Sequence, residues 1–255
     1  KQHAASTNFP TPSSQYYLDK EQLLSAQPYA FPIRSHVGNM LFSALSTRPD
    51  LTFATIYLSK LIEHPNTATW KLCNRLEYYY KATANLKLHL HVHPKSNPQF
   101  HIYCDSDHAS DPITRASFGG FIVYYGNVPI YWRTRCSQII CTSSTHSELQ
   151  AAYTAVNETR WLYQIIQELR KLIGLPPLTT RHLYQDNMST IKILEADFFN
   201  IKNWDVKYKH LHQLVANKEV TLHYKPTADM IADIFTKPLE TKAFQKHRSS
   251  LQLYP

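Results

Sequence analysis

Apolar positions along the chain change their period twice. From Ile33 to Leu88 they recur at helical spacing: Val37, Met40, Leu41 and Leu45 stand at i, i+3 and i+4 intervals. Thr47-Arg-Pro-Asp50 interrupts, and Phe53, Ile56, Tyr57, Leu58 and Leu61 resume the pattern until Pro65. A third helix over 67–83 presents Trp70, Cys73, Leu76, Tyr79 and Tyr80 on one broad face. This predicts a small all-helical unit. Leu86-Lys-Leu-His-Leu-His-Val-His93 then alternates strictly and reads as a strand, and Pro94-Lys-Ser-Asn-Pro98 marks a boundary.

Beyond the boundary the period is mostly two. Strands are predicted over 99–104 and over 117–125 and 128–133 around a Gly126-Asn127 hairpin turn, with a short one at Ile139-Ile140. One long helix follows over 144–172. After it come a strand at His182-Leu-Tyr-Gln-Asp186, a helix from Ser189, a helix over 206–217, a strand over 219–224 and terminal helices, one of them within Ala228-Asp-Met-Ile-Ala-Asp-Ile-Phe-Thr-Lys237. Antiparallel strands followed by alternating strands and helices predict an α/β fold: a mixed sheet of three antiparallel strands and then parallel ones, flanked by helices. Residues 1–28, rich in Pro, Ser, Thr and Gln, read as a flexible linker or a cut in a longer protein, 29–98 as the helical unit and 99–255 as a second domain.

A hydrophobic content of 43% in 255 residues supplies a core for such an architecture. No apolar run reaches the roughly 18 residues of a membrane span, and the N-terminus has no apolar signal region, so no membrane partner is expected. Cys73, Cys104, Cys136 and Cys141 form no C-x-x-C pair and read as free thiols in a reducing compartment. The net charge of +8 favours polyanions, nucleic acid above all.

Candidate chemistry lies in four acids at predicted element ends: Asp105 after the first strand, Glu148 one turn into the long helix, Asp186 after the His182 strand and Asp233 in the short helix. Four carboxylates brought together need cations, which suggests a two-metal nuclease. Each has a structural alternative. Glu148 can close a capping box with Thr145, Asp186 can cap a helix or shape a turn, Asp233 can face solvent on its helix and Asp105 can simply end a strand. Asp107 rivals Asp105.

The segments Cys104-Asp-Ser-Asp-His-Ala-Ser-Asp111, Arg115-Ala-Ser-Phe-Gly-Gly120, Ser143-Ser-Thr-His-Ser-Glu-Leu-Gln-Ala151, Tyr184-Gln-Asp-Asn187 and Ala232-Asp-Ile-Phe-Thr-Lys-Pro-Leu239 resemble, in that order, the RNase H domain of copia-type retrotransposon polyproteins. Upstream, Ser35-His-Val-Gly-Asn-Met-Leu-Phe42, Thr47-Arg-Pro-Asp50 and His64-Pro-Asn-Thr-Ala-Thr-Trp70 resemble the stretch that connects reverse transcriptase to RNase H in such polyproteins. The resemblance implies an RNase H-like fold and a catalytic, metal-binding quartet of Asp105, Glu148, Asp186 and Asp233. Two Mg²⁺ ions, which Mn²⁺ can replace, would be held there. Asp105 would bridge both, Glu148 and Asp186 would complete one site, and Asp233 would hold the ion that activates water. The implied activity is cleavage of the RNA strand of RNA/DNA hybrids during reverse transcription, leaving 3′-hydroxyl and 5′-phosphate ends. Implied partners are the hybrid and the polymerase portion of the same polyprotein or a second subunit. The implied location is a cytoplasmic virus-like particle, or the nucleus.

Ser144, Thr145, Asn187, Lys207, Lys209, Lys225 and Lys237 are the candidates for substrate contact. Lys202, Lys207, Lys209, Lys218, Lys225 and Lys237, interleaved with Trp204, Tyr208 and Tyr224, suit phosphates with aromatic support, and His210 and His212 extend that basic face. His89, His91 and His93 share a strand face and read as solvated rather than metal-bound. The pattern departs from the family at three points, one of them Lys209, which stands where copia-type sequences often have His. Lys225-Pro-Thr-Ala-Asp229 leaves no room for the mobile His loop that many RNase H enzymes carry before the last carboxylate, and there is no Tyr-x-Asp-Asp polymerase motif. The alternative function is a catalytically silent structural or hybrid-binding subunit of a reverse transcriptase.

Overall fold

The computed structural model describes residues 21, 26–63, 65–91, 97–196 and 205–255. His93, Lys202 and Trp204 lie outside them. The helical unit comprises α1 (Ile33–Ser46), a 3₁₀ turn (Pro49–Leu51), α2 (Thr52–Lys60) and α3 (Thr67–Ala82). On α1 the buried stripe is Ile33, Val37, Met40 and Ala44; Leu45, expected inside, is exposed. The Arg-Pro-Asp break is more than a helix stop. Arg48 donates from Nε and Nη2 to the two Asp50 carboxylate oxygens at 2.9 and 2.8 Å, and the Tyr79 hydroxyl donates to the same carboxylate at 2.6 Å. Both charged side chains are buried, so the turn joins α1 to α3 through a fully paired ionic knot. Asn66 caps α3 in a reciprocal capping box with Thr69.

Of the alternation expected over 86–93, the described residues form a two-residue strand, β1 (Lys87–Leu88), whose ladder partner among them is the equally short β7 (Leu253–Tyr254). The main sheet contains β2 (Phe100–Asp107), β3 (Phe118–Tyr125), β4 (Val128–Cys136), β5 (Arg181–Gln185) and β6 (Val220–Tyr224) in the order β4-β3-β2-β5-β6. The first three strands are antiparallel, and β2, β5 and β6 run parallel. This is the RNase H-like arrangement the resemblance implies. The β3–β4 hairpin turns on Gly126 at φ 63, as the Gly-Asn pair requires.

Ile139 and Ile140 form no strand and are exposed. The single helix expected over 144–172 is two, α4 (Ser144–Glu158) and α5 (Arg160–Leu172). They are separated at Thr159, whose buried hydroxyl donates back to the Ala155 carbonyl at 2.7 Å. The remaining helices are α6 (Met188–Glu195), α7 (Val206–Ala216) and α8 (Thr241–Ser250).

Two apolar clusters hold the molecule together. One face of the sheet packs Phe100, Ile102, Cys104 and Leu183 against Leu149, Ala152 and Val156 of α4 and Tyr208 and Leu211 of α7. The other joins β3 and β4 to the helical unit: Phe53 meets Phe118 edge-on at 5.4 Å, and Trp132 Nε1 donates to the Ala44 carbonyl at 2.7 Å. The helical unit and the sheet therefore share one core.

Candidate active site

Each of the four acids is carried by a different element. Asp105 does not end its strand: β2 continues to Asp107, and Asp105 lies within it, buried, opposite Gly120 of β3. Asp186 follows β5, where the parallel pairing with β2 has already stopped at Tyr103–Tyr184. Asp233 lies on the second of two 3₁₀ turns (Thr227–Asp229 and Ile231–Phe235) that replace the expected helix, and it is buried rather than solvent-facing.

Gly120 lets that turn approach. A Cβ there would lie 2.5 Å from Phe235 Cβ and 2.9 Å from the Phe235 carbonyl oxygen, so any side chain would push the turn off the sheet. Thr134 fixes it by donating to that same carbonyl at 2.7 Å. Carboxylate oxygens of Asp105, Asp186 and Asp233 consequently lie within 4.8 Å of one another. Asp107 is not in this trio.

Glu148 stands beside the trio and outside that radius. It is no capping residue: the α4 N-cap is Ser143, which accepts from the His146 amide, and Thr145 is already inside the helix. Asp186 is no cap either, since Asn187 takes that place on α6. Supporting groups hold the acids. Thr236 Oγ donates to Asp105, Gln185 donates to Glu148 at 3.1 Å, and Thr227 donates to Asp186 at 2.7 Å. These three residues were not singled out from the sequence. Thr236 and Gln185 sit inside the quoted motifs, directly beside the acids or one turn from them, and that adjacency was the available signal.

The electrostatics follow from gathering like charges under cover. Burial, then the Asp105 and Asp186 charges, raises the Glu148 carboxyl well above the ordinary range. Asp186 is raised by burial, against the Thr227 hydrogen bond. Asp233 is pushed up to about 8 by burial and by Asp105, with Lys237 opposing. The Lys237 ammonium lies 3.1 Å from Asp233 Oδ1 and 3.7 Å from Asp105 Oδ2, and these charges keep it protonated despite its burial. Among the described residues one ammonium pairs with this group of four carboxylates, so their ionisation leaves a negative excess. Asp233 Oδ1 is also buried without a hydrogen bond of ordinary geometry. An all-oxygen donor set with such an excess fits hard divalent cations such as Mg²⁺ or Mn²⁺.

The expected substrate contacts scatter more widely. Ser144 is exposed and Thr145 half-exposed at the start of α4. The Asn187 side chain is occupied in capping, accepting from the Thr190 amide at 2.9 Å. Lys207 pairs with Asp205 at 3.3 Å and lies over the Tyr208 ring, while Lys209 is exposed. Lys225 is half-exposed at the end of β6. Lys237 is in the acidic cluster itself. Tyr208, read as aromatic support, is buried with its hydroxyl donating to Gln150 at 3.0 Å, and His212 is engaged with the Ala196 carbonyl at 2.8 Å. His89 and His91 are exposed. Beside the acids a cavity of about 250 Å³ opens between α4 and the β3–β4 hairpin, lined among others by Ser106, Gly120, Arg133, Arg135 and Gln150.

Among known proteins, a retrovirus-related Pol polyprotein from transposon RE2 of Arabidopsis thaliana is 29% identical over 251 residues, covering 89% of this chain and 17% of its own length. The corresponding polyprotein from transposon RE1 of the same plant is 28% identical over 221 residues, covering 86% of this chain and 14% of its own. Its homologues are Pol polyproteins of copia-type transposons. The chain thus spans about a sixth of the curated relatives it matches. No family model matches it. A foamy viral protease-reverse transcriptase solved with an RNA/DNA hybrid is 14% identical, with a TM-score of 0.43, covering 89% of this chain and 28% of that one. Among the described residues no helix is long and apolar enough to cross a membrane.

Proposed function

We propose that this Pol-related chain is a metal-dependent endoribonuclease that hydrolyses the RNA strand of RNA/DNA hybrids. The observation that carries the reading is the convergence of Asp105, Asp186 and Asp233 within 4.8 Å on an RNase H-like sheet, with Glu148 at their side. All four would hold two Mg²⁺ ions. Bound there, such ions supply a nucleophile from water at neutral pH and neutralise charge on the attacked phosphate and the leaving oxygen.

The chain's own residues do the rest. Thr236, Gln185 and Thr227 fix the carboxylates before any substrate arrives, so little reorganisation remains at the moment of reaction. Lys237 balances Asp105 and Asp233 and keeps the cluster folded between turnovers. The exposed Lys209 and the half-exposed Lys225 provide cationic charge for the phosphates of the duplex. Choice of RNA over DNA would rest on 2′-hydroxyl and minor-groove contacts. The helical unit, sharing its core with the sheet, would join this nuclease to the polymerase portion of a polyprotein or to a second subunit.

One observation favours the rival, a silent hybrid-binding part: Lys237 already pairs with two of the acids, Asp105 and Asp233, without any metal. The two readings part in one experiment. A labelled RNA strand annealed to DNA is incubated with the wild-type chain, Asp105→Asn or Glu148→Gln in Mg²⁺. The enzyme reading expects cutting by wild type alone and hybrid binding by all three. Wild-type binding without cutting establishes the rival.

A further inference from the structure

The helical unit carries a second group of metal-ligating side chains, remote in sequence from the four acids. Cys73 and Glu77 are four residues apart on α3 and share a face one turn apart. His36 of α1 stands opposite. A ring nitrogen of His36, the Cys73 sulfur and a Glu77 carboxylate oxygen all lie within 4.8 Å of one another. Cys73 is buried, whereas the side chains of His36 and Glu77 are 31% and 23% exposed, so water reaches one side of the cluster.

The geometry points to a Zn²⁺ site with Cys73, His36 and Glu77 as ligands and a solvent molecule as the fourth. The donors decide the cation: thiolate, imidazole and carboxylate together suit borderline-soft Zn²⁺ in tetrahedral coordination, and the sulfur disfavours Mg²⁺. Zn–ligand bonds of about 2.0–2.3 Å require the three donors to draw slightly inward. Nothing rigid opposes this. His36 already meets Glu77 through Nδ1, and the only further ion-pair partner of Glu77 among the described residues is Lys81, at 3.8 Å, which is largely exposed and free to swing away. On binding, the Cys73 thiol gives its proton to solvent as the Zn–S bond forms, and the His36 ring coordinates in its neutral form. The site would clamp α1 to α3, a structural role independent of hydrolysis. The alternative is a His36–Glu77 ion pair beside an inert core thiol.

Cobalt separates the two. The full chain, in excess Mg²⁺ to occupy the carboxylate cluster, is titrated with Co²⁺ and then Zn²⁺. The expected result is a near-ultraviolet thiolate-to-cobalt charge-transfer band with tetrahedral visible bands, bleached by Zn²⁺, and a rise in Tm with Zn²⁺. Co²⁺ held by carboxylates alone gives no thiolate band. His36→Gln, at a half-exposed position that tolerates exchange, should weaken binding by more than about tenfold, and Cys73→Ala should abolish the band. Absence of a band in the wild type, or a band of undiminished affinity in His36→Gln, overturns the assignment, and the latter decides the matter even if Cys73→Ala fails to fold.

Discussion

If like charge under cover sets the properties of the acidic cluster, removing one charge should stabilise the protein while destroying its chemistry. Asp233→Asn makes the case quantitative. The native carboxyl stands at about 8 against an ordinary 3.8. At pH 7 the folded chain therefore holds a proton that the unfolded chain releases. Each pH unit is worth about 1.36 kcal/mol, so the cost is at most about 4 kcal/mol, and relaxation and water entry reduce it to the order of 1–3 kcal/mol. The sign follows from proton counts. Below about pH 4 both states are protonated and the penalty vanishes; as pH rises to about 8 it grows, because the native state binds the extra proton, and above that it is constant. Urea unfolding in EDTA across pH 4.5–8.5 should show Asp233→Asn more stable than wild type at pH 8, with the gain shrinking toward acid pH. Saturating Mg²⁺ should erase the gain, since only the wild type keeps the full donor set. A variant less stable than wild type by the same margin at both ends of the range would refute the reasoning.

Lys237→Met removes the ammonium that pairs with Asp105 and Asp233; it should lower Tm in EDTA, and titration with Mg²⁺ should restore more stability than in wild type. Gly120→Ala forces a Cβ into Phe235. It should cost about 1–3 kcal/mol in unfolding experiments and, by shifting Asp233 from Asp105, reduce hybrid cleavage on the order of 100-fold. Asp50→Ala leaves the Arg48 guanidinium buried and unpaired, and should destabilise the chain by about 3–5 kcal/mol in urea with no change in cleavage by the remaining folded fraction.

The parts of this molecule legible from sequence are those governed by local pattern. The strand at 117–125, the Gly-Asn turn and, Leu45 apart, the helical stripe of α1 depend on neighbours in the chain, and they appear where expected. What was misread depends on partners far away. Leu86 to His93 alternates as well as any strand, yet among the described residues its ladder with β7 holds only Lys87 and Leu88. The break at Thr159 turns on one hydroxyl competing for a helical carbonyl, which periodicity does not register. Asp105, Asp186 and Asp233 were visible as acids in motifs, whereas their supports were not. Thr236 acquires its role only when Gly120 admits the 3₁₀ turn, and Lys237 reads as a surface cation until the fold turns it inward. Tyr208 shows the converse, an aromatic residue among lysines that the core claims.

The central claim is that the acid cluster cuts RNA in a hybrid. It is tested most directly by presenting the wild-type chain with one labelled RNA strand, single-stranded or annealed to DNA, and with the matching DNA duplex, in Mg²⁺ and in EDTA. The account predicts internal cleavage of the RNA in the hybrid alone, in Mg²⁺ alone, leaving 3′-hydroxyl ends. Cleavage that persists in EDTA, or an intact hybrid in Mg²⁺ at protein concentrations that saturate binding, would contradict it.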